Sequence, residues 1–178
     1  MRPSPTSKIC TTSGSGMPKN MPPIAQTHEW CTPQYILDAL GKFDLDPCAC
    51  AQRKLKGVRR HYYTDGLSKA WVGRVWCNPP YGSEGYMWLE RMAEHANGVA
   101  LYPCRFDTAG FYKAVWCKAH ALLIFSGRSH FLRPDGSVPP GNAGAPSCLI
   151  AYSTEDAKVL RQSSIAGVYI ENWEVSNG

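Results

Sequence analysis

The stretch RVWCNPPYGSEGY, Arg74 to Tyr86, restricts the fold more than any other part of this chain. An apolar run stops at Asn78, Pro79, Pro80 and Tyr81. Neither proline has an N–H to donate, and each drives the residue before it into extended backbone, so a strand must end there in a stiff turn. The spacing predicts a strand over Val72 to Cys77, interrupted by Gly73, and a helix over Tyr86 to Ala96. Trp88, Leu89, Met92 and Ala96 would form the helix's buried stripe, with Asn97-Gly98 as its cap. Asn78 therefore belongs at the carboxyl end of a strand that feeds a helix.

The remaining pattern repeats that unit. In HEWCTPQYILDALGKFDLDPCA, Thr32 fits an N-cap and Pro33 the first helical position. Ile36, Leu37 and Leu40 give an apolar face, and Gly41 a stop. Phe43 and Leu45 then alternate with Asp44 and Asp46 in a strand closed by Pro47. GVALYP, a helix over Thr108 to Ala119, ALLIFSG, a proline-broken loop over Arg133 to Pro146 and a last core strand SCLIAY follow. Strands alternating with helices at these intervals predict an α/β sheet with parallel strands. Such sheets bind ligands beyond the carboxyl ends of their strands, at a switch in strand order, and Asp46 and Asn78 both fall on that rim.

A length of 178 residues suits one domain. Residues 1–26 are rich in Ser, Thr, Pro and Gly and cannot repay the entropy of ordering, so they are expected to form a disordered tail before a domain over 27–178. Translation could begin at Met17 or Met21 within it, and the sequence does not decide between them. The amino terminus has no secretory apolar region and no run reaches the roughly 20 apolar residues of a membrane span, so a cytoplasmic protein is expected. The eight cysteines lack paired CxxC spacing and read as buried thiols with no metal; Cys48, Cys50, His28 and Cys31 come nearest to a ligand set. A formal net charge of +5 is modest, but QRKLKGVRRHYY gathers Arg53, Lys54, Lys56, Arg59 and Arg60 beside aromatics. Such a patch suits a polyanion or, equally, a solvated face.

EWCTP, FDLDPCA, DGL, VWCNPPYG, LYPCRFDT and GRSHF, in that order, resemble the phage and prophage family of Dam-like, NPPY-type DNA N6-adenine methyltransferases, from about Glu29 to Tyr152. The resemblance implies a single-domain, Rossmann-like S-adenosylmethionine-dependent methyltransferase fold, mostly parallel with an antiparallel hairpin near the C-terminal end. It implies double-stranded DNA as partner, in a bacterial host's cytoplasm, with no membrane and no metal. Asn78, Pro79, Pro80 and Tyr81 match its catalytic turn. There the Asn78 side-chain oxygen and Pro79 carbonyl accept from a weakly nucleophilic exocyclic amine, and Tyr81 stacks on the extracted base. Trp30, Thr32, Pro33, Asp46, Pro47, Cys48 and Asp65 match the donor site, Asp46 holding the ammonium or methionine portion and Asp65 receiving the adenine amino group. Arg105 and Arg128, with Arg53, Lys54, Arg59 and Arg60, are the candidates for DNA contact.

The segment after Asp46 reads PCACA in place of a glycine-rich loop, and Pro47 to Asp65 is too short for two βα units, so no ribose-binding acid is assigned. Pro47-Cys48 and Pro103-Cys104 offer a covalent cysteine alternative, for which an amine acceptor has no need. RNA adenine or protein glutamine as acceptor, or a non-catalytic nucleic-acid-binding module, remain the competing functions.

Overall fold

The computed structural model describes residues 31–50, 54–127, 132, 137 and 145–176. The proposed tail over 1–26, Trp30, His28, Arg53, Arg128 and most of the 133–146 loop lie outside the described residues. Along the chain run α1 (Gln34–Leu40), β1 (Phe43–Asp46), β2 (Val58–His61), β3 (Val75–Cys77), α2 (Gly85–His95) and β4 (Gly98–Pro103). Next come α3 (Ala109–Phe111), which continues into a π-helical turn over Tyr112–Trp116, then β5 (Ala121–Phe125), β6 (Ser147–Ala151), α4 (Thr154–Gln162) and β7 (Gly167–Glu171).

The strands form one seven-stranded mixed sheet in the order β2-β1-β3-β4-β6-β5-β7. β2, β1, β3 and β4 are parallel neighbours. β6 lies antiparallel between β4 and β5, and β7 extends that antiparallel end from the far side of β5. The sheet is buried on both faces, which is why its central strands are apolar without interruption; all six residues of β4 are buried. Ile36, Leu37, Leu40 and Leu160, from α1 and α4, pack on one face with Trp76, Val99, Leu101 and Leu149. Leu89, Met92 and Phe111 cover the other with Val75, Cys77, Ala100 and Tyr102. Consecutive residues of β3 and β4 go to opposite layers, as the two-residue period of a strand requires.

Several local expectations are corrected. Thr32 does not cap α1: Pro33 occupies the N-cap position in extended backbone, with no side-chain cap hydrogen bond. β3 begins only at Val75, because Gly73 turns at φ +77°, a conformation suited to glycine, and leaves Val72 65% exposed. In β1, Phe43 and Leu45 do not share a face. The Arg74 carbonyl accepts from both Asp44 N (2.8 Å) and Leu45 N (3.4 Å), a bulge that sends Phe43 to the α1 layer and Leu45 to the other. α2 stops at Ala96 itself, left-handed at φ +54°, so Ala96 is exposed instead of buried and Gly98 already begins β4. The helix expected over Thr108 to Ala119 is three α-helical residues and the π-helical turn, with Thr108 Oγ1 accepting from Phe111 N at 3.4 Å.

The amino ends of the central strands are joined through one carboxylate. Asp156, 1% exposed, accepts from Arg74 Nε (2.6 Å), Gly98 N (2.7 Å) and Ser153 Oγ (2.5 Å). Arg74 also donates to the carbonyls of Leu40 and Lys42, and its guanidinium lies 4.1 Å from the Phe43 ring centroid. One ion pair thus links α1, β3, β4 and α4. Asp156→Asn replaces an acceptor oxygen with an NH2 that faces donors, so it should destabilise the protein by about 2 kcal/mol in urea unfolding. An unchanged midpoint would show that the linkage contributes nothing.

Candidate active site

β1 has β2 on one side and β3 on the other, so the chain reverses its direction of progress across the sheet after β2. A cleft opens at the carboxyl ends of those three strands, as expected at such a reversal. Thr32 forms one wall, Asp46 to Cys50 a second, Tyr62 to Gly66 a third and Asn78 to Pro80 a fourth. The residues singled out in four separate motifs therefore meet around one space.

Asp46, the last residue of β1, is 3% exposed. Its Oδ1 accepts from Cys48 N at 3.1 Å. Loss of hydration pushes its carboxyl pKa from 3.8 up to about 7, and the Cys48 N–H pulls the other way without cancelling that effect. β1 and β2 keep pairing past their formal ends: Tyr62 N donates to the Asp46 carbonyl at 2.8 Å and Ala49 N to the Tyr62 carbonyl at 3.0 Å. The turn over Asp65 to Ser68 then lies directly on the loop after β1. Only a glycine permits that approach, since a Cβ on Gly66 would collide with the Pro47 carbonyl. Asp65 itself is exposed, at φ +53°, and its carbonyl accepts from Ser68 N and Ser68 Oγ at 3.1 and 2.9 Å.

At the end of β3, the strand beside β1, the Asn78 side chain donates from Nδ2 to Thr32 Oγ1 at 3.2 Å. Thr32 is 2% exposed, and its neighbour Cys31 makes a two-way backbone bridge to Leu132, at 2.8 and 3.1 Å. Pro33 is buried behind Thr32, outside the cleft walls. Tyr81 also lies beyond them. Its half-buried ring meets Tyr102 edge-on, centroids 6.1 Å apart, and burial pushes its hydroxyl pKa up. Tyr102 in turn donates to the Gly82 carbonyl at 2.9 Å, which fixes the turn after the two prolines.

Cys48, a lining residue, meets the buried Cys77 of β3, their Sγ atoms being 3.6 Å apart. Burial first, then Cys77, holds the Cys48 thiol well above its ordinary pKa, the opposite of what an attacking thiolate needs. Cys104 is held below its ordinary value by its bond to the Cys148 thiol, but it does not line the cleft.

Part of the basic stretch, Val58–His61, is a strand. Arg59 and Arg60 are both exposed on β2 at the edge of the sheet, and as adjacent strand residues they project from opposite faces. Lys54 is exposed in the β1–β2 connection, and Arg105 is exposed after β4, its carbonyl accepting from Thr108 N and Oγ1. Reading this stretch for charge alone missed Tyr62 and Tyr63, which follow β2 directly and line the cleft, as does Trp88 of α2. The signal was present in the aromatic pair HYYTDGL. Next to it, His61 Nε2 accepts from Leu55 N at 3.2 Å, and burial, then Lys54, lower the His61 pKa.

A cleft at the switch point of a mixed α/β sheet, with a buried acid ending one strand and an amide–diproline turn ending its neighbour, is the ligand site of a Rossmann-like domain. The chain belongs to the DNA N-6-adenine-methyltransferase (Dam) family, whose model matches residues 20–166. No curated protein and no solved structure gave a significant match. Among the described residues, no group of three or more His, Cys, Asp or Glu is placed to hold a metal ion, and no helix is long and apolar enough to cross a membrane.

Proposed function

We propose that this protein transfers a methyl group from S-adenosylmethionine to the N6 amine of adenine in double-stranded DNA. The observation that carries the reading is that Asn78 and Asp46 line one cleft at the carboxyl ends of the neighbouring strands β3 and β1. The donor site fits a cationic ligand. A carboxyl buried as deeply as that of Asp46 ionises at a cost, and an ammonium group offsets that cost. Thr32, Pro33, Asp46, Pro47, Cys48 and Asp65 are the described residues assigned to the donor, Asp65 to its adenine amino group and Pro33 from behind the cleft wall; Trp30 completes the assignment. When bound, the donor supplies an electrophilic methyl group on a sulfonium.

The protein's own contribution is to present the amine. An exocyclic amine conjugated into its ring is a poor nucleophile, and two acceptors, Asn78 Oδ1 and the Pro79 carbonyl, draw its lone pair out of conjugation. Pro80 brings no N–H to compete and keeps the turn rigid. Tyr81 supplies an aromatic face for a base taken out of the stack. Rate enhancement then comes from positioning and fixed dipoles.

Labelled donor offered in parallel to duplex DNA, RNA and a glutamine-containing peptide tests this reading. Label recovered from DNA as N6-methyladenine supports it; label only in RNA or peptide overturns it.

DNA contact is assigned to Arg53, Lys54, Arg59, Arg60, Arg105 and Arg128. Because Arg59 and Arg60 project from opposite faces, Arg59→Gln and Arg60→Gln should not behave alike. The residue that meets phosphate should lower the slope of log affinity against log salt by about 0.9 on duplex DNA of any sequence, and the other should leave it unchanged. Identical parental slopes in both variants would show that β2 is only a solvated edge.

A further inference from the structure

We infer that Trp71 is a positioning residue that holds Asp65 where the cleft selects for the 6-amino group of a purine; this rests on the assignment of Asp65 to the donor's adenine amino group given above. Tyr62 to Gly66 form one wall of the cleft, yet Asp65 is exposed and sits in left-handed backbone at φ +53°. The residue after it has to be glycine, because a Cβ on Gly66 would collide with the Pro47 carbonyl. Glycine is also the residue with the freest backbone, so a carboxylate followed by glycine keeps a fixed aim only if that glycine is held from elsewhere.

Trp71 holds it. Its indole Nε1 donates to the Gly66 carbonyl at 2.8 Å. An indole N–H only donates and a carbonyl only accepts, so the bond has one possible direction. Trp71 is 7% exposed, which makes the loss of that acceptor costly. The indole is itself fixed by one stripe of α2. Trp88 stacks on it with centroids 6.3 Å apart and planes at 23°, the Arg91 guanidinium lies 5.6 Å from its centroid, and His95 meets it edge-on at 5.8 Å. Trp88 also lines the cleft. One residue earlier, the Asp65 carbonyl accepts from Ser68 N and Oγ. The two carbonyls that follow the Asp65 Cα are therefore both anchored, one inside the turn and the other, through Trp71, to the helix that follows the Asn78 turn.

The test measures by calorimetry the binding of S-adenosylhomocysteine and of its 6-deamino counterpart, whose purine carries hydrogen in place of the amino group, to the parent and to Trp71→Phe. Phenylalanine keeps a ring against Trp88 and removes the N–H. The parent should prefer the 6-amino ligand about tenfold, the lower end of the range for a hydrogen bond to a charged acceptor, because Asp65 is exposed. Trp71→Phe should reduce that preference to about threefold or less. Lost packing beneath Trp88 would weaken both ligands alike and leave the ratio unchanged, whereas a displaced Asp65 lowers it. A second readout needs no variant. The NMR signal of the Trp71 indole N–H in the parent should persist after transfer to heavy water, and it should shift further with the 6-amino ligand than with the deamino one. The part of the shift common to both comes through Trp88, and the excess through Gly66.

A Trp71→Phe variant that keeps the parental ratio overturns the inference, even if it binds both ligands less tightly, since Trp71 would then only support the fold. So does an indole proton that exchanges at once, or one that responds equally to the two ligands; this measurement decides the matter if Trp71→Phe does not fold. A parent that binds both ligands without preference sinks the inference and leaves the methyl-donor reading standing. A parent that binds neither sinks that reading and the inference together.

Discussion

Asp46→Asn should make the unliganded protein more stable at pH 8 while removing its ability to hold the donor. The carboxyl of Asp46 titrates at about 7 in the fold against 3.8 when unperturbed, because burial deprives its charge of water. For an acid whose folded pKa is raised, stability is fully present below the unfolded value and is lost as pH rises through the folded one. At pH 8 the group is ionised in both states and the whole difference counts against the fold. At roughly 1.36 kcal/mol per pH unit the cost is about 4 kcal/mol. Asparagine carries no charge to desolvate, and its oxygen still accepts from Cys48 N, although its NH2 must find a partner among buried neighbours. A net gain of about 2 kcal/mol in urea unfolding at pH 8 is therefore expected, shrinking toward zero or reversing at pH 4, where Asp46 is already neutral in the fold.

Donor binding should respond in the opposite sense. In the parent, affinity should fall about tenfold per pH unit below 7, as protonation removes the counter-charge of the ammonium group. Asp46→Asn should bind weakly at every pH. A variant that is no more stable at pH 8, or that binds the donor as the parent does, would remove Asp46 from the role given to it.

The conflict at Asp46 also shows what was legible in the sequence. FDLDP could be read as a strand ending in an acid because Pro47 marks its end, and VWCNPPYG for the same reason. Both strands and their shared rim followed from apolar runs that stop at residues unable to continue a ladder. β2 was hidden. An edge strand has little to bury, so VRRH carries charge where a central strand carries valine and leucine. Its short connection from β1, with no helix among the described residues, broke the expected βα rhythm.

α4 and β7 were missed for a related reason, lying beyond the last strongly apolar run. The signal for α4 was a Ser-x-x-Asp cap in which Ser153 accepts from Asp156 N at 3.0 Å. At the site, periodicity suggested a helix cap for Thr32, since Thr-Pro before an apolar face has that local meaning. The contact with Asn78 is long-range and leaves no local trace. Motif order could bring Thr32 to the cleft, but only the folded chain shows its hydroxyl against the amide.

Asn78→Ala should abolish methyl transfer and leave the donor bound. Alanine removes both the acceptor for the amine and the bond to Thr32, while the Pro79 carbonyl and the stiff turn remain. Loss of one preorganised dipole aimed at the reacting centre costs roughly 100- to 1000-fold in rate, and in the proposed mechanism the lost group is one of two acceptors that set the amine's geometry. Stability should fall by only about 1 to 2 kcal/mol, the scale of one or two side-chain hydrogen bonds, so rate and melting temperature separate.

Asn78→Asp sharpens the test. A carboxylate still accepts from the amine, and the Thr32 hydroxyl can reverse its role and donate, so both contacts survive in altered form. Aspartate should therefore be well above alanine in single-turnover rate, with donor affinity changed by no more than the added negative charge near Asp46 explains. If alanine keeps the parental rate, the amide does not act on the amine. If aspartate is as inactive as alanine with the donor still bound, the acceptor at the end of β3 is not what the reaction needs there, and the Pro79 carbonyl would be left as the sole acceptor of that turn.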